Sequence, residues 1–232
     1  MSLKGKIILV TGATSGIGMA LVQRLHRLGA RPVLTGRNEE KVVRLAQQIG
    51  VSGYKLDVSR EKECRAVVSQ IEQEQGPIHG LVNNAGIWLE GDFEANRPQD
   101  IQKVINTNTL GTIWMSHAVL SHMLKRRAGA VVNVVSTGAL YTRKGISVYS
   151  ASKWAVRGFT GCLEVECAPK GVRVMGFYPG KVATNMYEIA GIDRDLEVAM
   201  TPEAASEMIQ IMLGSENLVW GQVCGRNIKD YI

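Results

Sequence analysis

Val10-Thr11-Gly12-Ala13-Thr14-Ser15-Gly16-Ile17-Gly18 is the stretch from which the rest of the chain is read. Ile7 to Val10 form an apolar run that predicts a buried strand, and Met19-Ala20-Leu21-Val22-Gln23-Arg24-Leu25 has the apolar spacing of a helix. The glycines at 12, 16 and 18 therefore fall in a strand-to-helix turn. Missing side chains let a ligand approach the backbone, and a helix N-terminus offers unpaired N–H groups and the positive end of its dipole to a phosphate. The stretch points to a nucleotide site contacted by Gly12, Thr14, Ser15, Gly16, Ile17 and Gly18, with an ordinary tight turn as the alternative. Its spacing differs from G-x-G-x-x-G, so residues farther along the chain must decide between the two.

The chain has 232 residues, 45% of them hydrophobic, enough to bury one large α/β core spanning residues 1–232. No basic-then-apolar signal pattern opens it and no apolar run is long enough for a bilayer, so a soluble, cytoplasmic protein without membrane contact is expected. Cys64, Cys162, Cys167 and Cys224 lack C-x-x-C spacing and read as reduced thiols. His117 and His122 are five apart and cannot share a helix face, and His26 and His79 stand alone, so no metal site is expected. The net charge is +6, but Lys125-Arg126-Arg127 is the only tight basic run, which argues against a nucleic-acid partner.

Residues 31–35 predict a second strand that ends at Gly36-Arg37-Asn38. In dinucleotide folds an acid here binds a ribose 2′-hydroxyl, whereas an arginine accommodates a 2′-phosphate. This chain offers Arg37 and no acid at 35 or 36, which favours NADP(H) over NAD(H) unless Arg37 is only a surface residue. Asn38 reads as a helix cap followed by Glu39 and Glu40 in the first turn. Gly53 to Val58 predict a third strand, at whose end Asp57 and Val58 are placed to meet adenine; Asp57 is equally suited to capping backbone. A helix over residues 60–75 and a strand over 80–83 lead into Asn84-Ala85-Gly86. Strand and helix alternating through half the chain require right-handed crossovers, hence a parallel sheet covered on both faces. Ligands of such sheets sit beyond the carboxyl ends of the strands, where the glycine turn, Arg37, Asp57 and Asn84 all fall.

With these residues in place the chain resembles the short-chain dehydrogenase/reductase superfamily over residues 5–185. The glycine turn is similar to that family's T-G-x-x-x-G-x-G and Asn83-Asn84-Ala85-Gly86 to its N-N-A-G. The resemblance implies a Rossmann-type doubly wound sheet of about seven strands in the order 3-2-1-4-5-6-7, with Asn84, Ala85 and Gly86 bordering the cofactor. A helical region over 98–126 holds Asn106 and Asn108, and by register with V-N-x-x-G the resemblance makes Asn108 the site asparagine, holding a water at a local helix distortion.

Residues 130–135 predict a fifth strand with Ser136 at its carboxyl end. Tyr149 and Lys153 follow one turn apart on a helix running to about 168, so a phenol and an ammonium share one face. The resemblance makes Ser136, Tyr149 and Lys153 the catalytic residues, with Lys153 also on the nicotinamide ribose. A tyrosine pKa of about 10 must fall by roughly 2 to 3 to exchange protons near neutrality, about 3–4 kcal/mol. One positive charge at ~4 Å supplies at most about 4 kcal/mol at an effective dielectric of ~20, so Lys153 is expected to need help from an oxidised nicotinamide. A sixth strand over 171–177 leads into Pro179-Gly180-Lys181-Val182-Ala183-Thr184. This is similar to P-G-x-V-x-T and implies that Pro179, Gly180, Val182 and Thr184 hold the carboxamide end of the cofactor.

Residues 185–200 lack clear caps and are expected to form a substrate lid, with Met186, Tyr187, Trp88, Leu140 and Tyr141 either facing substrate or simply packed. Thr201-Pro202 opens a helix, and a last strand lies near 222–224. The tail Asn227 to Ile232 departs from the family pattern and bears on the expected homodimer or homotetramer. The function expected is an NADP(H)-dependent oxidoreductase acting on a small carbonyl or secondary alcohol. One alternative is 3-oxoacyl-[acyl-carrier-protein] reductase, with Arg126, Arg127 and Lys170 as docking charge. Another, of a different class, is a nucleotide-sensing binding protein without turnover, which would not need Ser136, Tyr149 and Lys153 together.

Overall fold

The computed structural model describes residues 2–215 and 221–225. Seven parallel strands form one sheet: β1 (Ile7–Val10), β2 (Arg31–Gly36), β3 (Ser52–Lys55), β4 (Ile78–Asn83), β5 (Gly129–Val134), β6 (Val172–Pro179) and β7 (Gln222–Gly225). Their order across the sheet is β3-β2-β1-β4-β5-β6-β7, the doubly wound arrangement expected. Between them lie α1 (Gly16–Arg27), α2 (Glu39–Ile49), α3 (Glu61–Glu74), α4 (Pro98–Val104), α5 (Gly111–Arg126), α6 (Ser147–Cys167), α7 (Met186–Ile189) and α8 (Pro202–Gly214).

Period-two alternation sorts each strand between two cores. Ile8 and Val10 join Val132 and Met175 against Leu21, Leu25, Ile209 and Leu213 of α1 and α8. Ile7 and Leu9 join Val131 and Val174 on the other face, against Val68, Ile71, Met115 and Val119 of α3 and α5. The middle of the sheet also carries a buried polar chain. Asn83 Nδ2 donates to Asn133 Oδ1 at 2.8 Å and to Ser116 Oγ at 3.0 Å, and Asn133 Nδ2 donates to Thr160 Oγ1 at 2.8 Å. These bonds lock β4, β5, α5 and α6 together just behind the carboxyl edge.

The third strand is shorter than the sequence predicts. Leu56 N still reaches Gly36 O, but Asp57 then turns the chain by accepting from Ser59 N and Ser59 Oγ at 3.0 and 2.7 Å. The helical region over 98–126 is broken by a six-residue π-helix, Ile105–Leu110, which is where the resemblance places a distortion. β6 runs on to Pro179 because β7 pairs with it as far as Gly225. Residues 181–200 make an excursion closed at its base, where Met200 N donates to Lys181 O at 2.9 Å and Ala183 N to Met200 O at 2.8 Å. The tail from Asn227 lies outside the described residues. Among the described residues no helix is long and apolar enough to cross a membrane, and no His, Cys, Asp and Glu side chains gather as a metal site.

Candidate active site

The glycine turn is shaped by close approaches that only glycine allows. Gly12 and Gly16 have φ of +61° and +54°, and a Cβ on Gly12 would lie 2.8 Å from Ala85 Cα. A Cβ on Gly16 would lie 2.8 Å from Thr184 Cγ2, and one on Gly18 2.6 Å from Asn84 Nδ2. The turn is thus pressed between the segment after β4 and the segment after β6. Asn84 Nδ2 donates to Thr11 O and Gly12 O, while Thr11 Oγ1 accepts from Asn84 N and Ala85 N. Ser15 stands at the N-cap of α1 without its side chain capping the helix, so the first-turn amides face outward with the positive dipole end.

β2 ends against the same turn, since a Cβ on Gly36 would lie 2.6 Å from Thr14 Cγ2. The next residue, Arg37, is exposed and has no acidic partner among the described residues. Helix amides, a serine hydroxyl and a guanidinium make a set of donors around a cradle that side chains would fill, which fits a phosphate-bearing ligand. Asp57 is brought to the same edge with one carboxylate oxygen already held by Ser59, so the capping reading accounts for that oxygen. Val58 is buried, with its side chain against Gly111 and its carbonyl accepting from the Cys64 thiol. Its side chain is therefore a packing element.

Farther along the edge, Tyr149 and Lys153 project from the first turns of α6 towards the ends of β4 and β5. Lys153 is buried and its Nζ donates to Val134 O at 3.0 Å. Burial without a carboxylate partner lowers its pKa to about 8. Tyr149 is buried as well, and burial pushes its phenol up to about 12, opposed by a hydrogen bond with the Ser136 side chain. Lys153 by itself does not bring the phenol down in the protein alone. The ammonium is 5.9 Å from the centre of the Tyr149 ring and bonded to Val134, so desolvation outweighs its field. Ser136 is extended, and its Oγ accepts from Gly138 N at 3.0 Å, which turns the hydroxyl towards Tyr149.

Asn108 sits in the π-helix with no exposure. Its Oδ1 accepts from Ile87 N at 2.8 Å, and its Nδ2 donates to Ile87 O and Ser152 Oγ. A Cβ on Gly86 would be 3.4 Å from Asn108 Oδ1 and 3.6 Å from Lys153 Nζ, so the two side chains flank one spot. The clamp on Ile87 also fixes the next residue, Trp88, whose ring lies 4.3 Å from that of Tyr149.

Trp88 is the hub of a cluster over the phenol. Tyr187 meets it edge-on at 5.0 Å, and the guanidiniums of Arg143 and Arg194 lie 5.5 and 5.7 Å from its ring. Glu90 pairs with Arg194 and accepts from Trp88 Nε1. Of the expected lining residues, Trp88 and Tyr187 are brought together, whereas Tyr141 is exposed. Sequence reasoning missed Glu90, Arg143 and Arg194, because they sit in irregular loops where no periodicity marks them. Arg126, Arg127 and Lys170 precede β5 and β6 and lie at the amino edge of the sheet, with Arg126 bound to Glu72 and Ile78 O. They supply no docking charge beside Tyr149.

A family model described as short chain dehydrogenase matches residues 6–194. An uncharacterized oxidoreductase of Staphylococcus saprophyticus is 36% identical over 195 residues, covering 79% of this chain and 81% of that protein. The gluconate 5-dehydrogenase of Gluconobacter oxydans is 35% identical over 192 residues, 81% of this chain and 75% of that one. Among solved structures, a gluconate 5-dehydrogenase from Burkholderia cenocepacia in complex with NADP and tartrate superposes with a TM-score of 0.90 at 26% identity, over 99% of this chain and 96% of that one.

Proposed function

The chain belongs to the short-chain dehydrogenase family, and from that premise we propose that it interconverts a small carbonyl compound and its secondary alcohol with NADP(H). The observation that carries this reading is the buried Tyr149 phenol, hydrogen-bonded to Ser136 and one helical turn from buried Lys153, at the same sheet edge as the glycine cradle.

The donor set around the turn suits the cofactor's phosphates. Thr14, Ser15, Gly16, Ile17 and Gly18 would hold the pyrophosphate, and Arg37 the 2′-phosphate. The second oxygen of Asp57 and the backbone of Val58 would border adenine. Asn84, Ala85 and Gly86 would line the middle of the cofactor, with Pro179, Gly180, Val182 and Thr184 at its nicotinamide end. When bound, the nicotinamide supplies or accepts the hydride. The protein supplies the proton. With its pKa near 12, Tyr149 is a neutral phenol at pH 7 and can donate its proton to a carbonyl oxygen. Ser136 hydrogen-bonds the same oxygen and stabilises charge that develops on it. Lys153 holds cofactor ribose hydroxyls, and Asn108, beside it, positions a water for proton return. The B. cenocepacia relative binds NADP, which supports the cofactor preference read from Arg37.

The outer face of α6 supports an oligomer. Trp154 and Val165 are exposed, and Gly158 and Gly161 between them leave open space where a side chain would stand, a low face suited to a second copy. The reading is tested by Tyr149→Phe, which should bind NADPH within about threefold of wild type and lose at least ~100-fold in kcat on any carbonyl that the wild type reduces. Undiminished kcat would remove Tyr149 from the chemistry.

A further inference from the structure

Two guanidiniums against one carboxylate stand over the phenol. Arg143 and Arg194 both lie on Trp88, yet Glu90 bonds only Arg194 and the Trp88 indole. Arg143 is exposed and has no hydrogen-bond or ion-pair partner among the described residues. It enters from residues 141–146, the loop between Ser136 and Tyr149, and Gly91 N bonds Gly145 O to hold that loop beside the Trp88 segment. Arg194 is only 17% exposed and its Nη2 is paired with Glu90, so it lends positive charge to the patch from behind while Arg143 presents the open fork.

We propose that the substrate carries a carboxylate, gripped by Arg143 and drawn by the added charge of Arg194, while its reacting carbon lies at Tyr149. This specificity element rests on the oxidoreductase reading above and extends it to an oxo acid or hydroxy acid. Trp88 sets the spacing: its ring is 4.3 Å from Tyr149 and 5.5 Å from the Arg143 guanidinium, close enough for one short-chain molecule to touch both. Arginine suits the role because its planar fork matches a carboxylate while its face stacks on the indole. Glu90 makes the patch selective, holding Arg194 in place and repelling an anion that strays from the Arg143 side.

The test titrates acetoacetate, levulinate and their methyl esters into the protein by calorimetry, with and without NADP+. An acid should bind at least about tenfold tighter than its ester, the scale of one charge-assisted hydrogen bond. Arg143→Met should bring that ratio below about twofold, while Lys144→Met, which removes the adjacent exposed charge, should preserve it. Equal binding of acids and esters by wild type would overturn the proposal, as would a ratio that survives in Arg143→Met. Turnover is scored separately. Acid preference through Arg143 in a protein that reduces no carbonyl sinks the oxidoreductase reading and leaves the anion subsite standing, whereas reduction of neutral ketones without acid preference does the reverse.

Discussion

Replacing Lys153 with methionine tests the electrostatics of the site without measuring turnover. The ammonium is buried on the Val134 carbonyl at 3.0 Å, and burial holds its pKa at about 8 against an ordinary 10.5. A base with a depressed folded-state pKa gives an unfolded chain that binds more protons between those two values, so stability rises with pH across roughly 8 to 10.5. Below pH 8 both states are charged and the folded protein bears the full desolvation cost, about 3 kcal/mol at ~1.4 kcal/mol per pKa unit. Methionine keeps an unbranched stem and removes the charge, while leaving Val134 O without its donor at a cost of about 1–2 kcal/mol. The net gain at pH 7 is about 1–2 kcal/mol, or roughly 2–8 °C in Tm for a chain of this size. Above pH 10.5 the wild-type lysine is neutral and still donates to Val134, so the variant should become the less stable protein. Melting curves of both proteins from pH 7 to 10.5 at fixed ionic strength read this directly, because groups common to both cancel in the difference. A Tm difference that does not change with pH would refute the reasoning.

Gly18→Ala puts a Cβ 2.8 Å from Gly12 O and Ala13 Cα, forcing the backbone of the turn to move. About 2 kcal/mol of overpacking lowers Tm by roughly 4–8 °C, and NADPH binding followed by fluorescence should weaken at least tenfold. Arg37→Asp should shift the ratio of kcat/KM for NADPH over NADH towards NADH by at least ~10-fold, and an unchanged ratio would place the phosphate elsewhere. Burial holds the Tyr149 phenol up in the protein alone, so ultraviolet difference spectra of the cofactor-free protein against Tyr149→Phe should show no Tyr149 phenolate up to pH 10. A phenolate signal titrating below pH 9 would mean that burial does not control the group.

The parallel sheet, the glycine turn and the pairing of Tyr149 with Lys153 are legible because each is written in local pattern: strands alternating with helices, a helical i, i+4 spacing, and glycines where side chains would collide, whereas the strand order is what the family resemblance implies. The end of β3 escapes that reading because Asp57 and Val58 continue the apolar–polar alternation, whereas the Ser59 side chain draws Asp57 into a turn. The state of the phenol escapes it too. Spacing puts Lys153 near Tyr149, but Val134 O takes the ammonium and burial dominates, a balance no sequence pattern encodes. Arg143, Arg194 and Glu90 meet on Trp88 from three separate loops, and only the tertiary fold makes them neighbours.

The central claim is that hydride passes between nicotinamide and a carbonyl carbon while Tyr149 moves the proton. NADPH deuterated at the transferring position of the nicotinamide, incubated with an accepted carbonyl and the purified protein, tests it most directly. The account predicts one deuterium on the carbinol carbon of the alcohol, formed at least ~100-fold more slowly by Tyr149→Phe. An unlabelled carbinol carbon, or labelled alcohol formed equally fast by the variant, would contradict it.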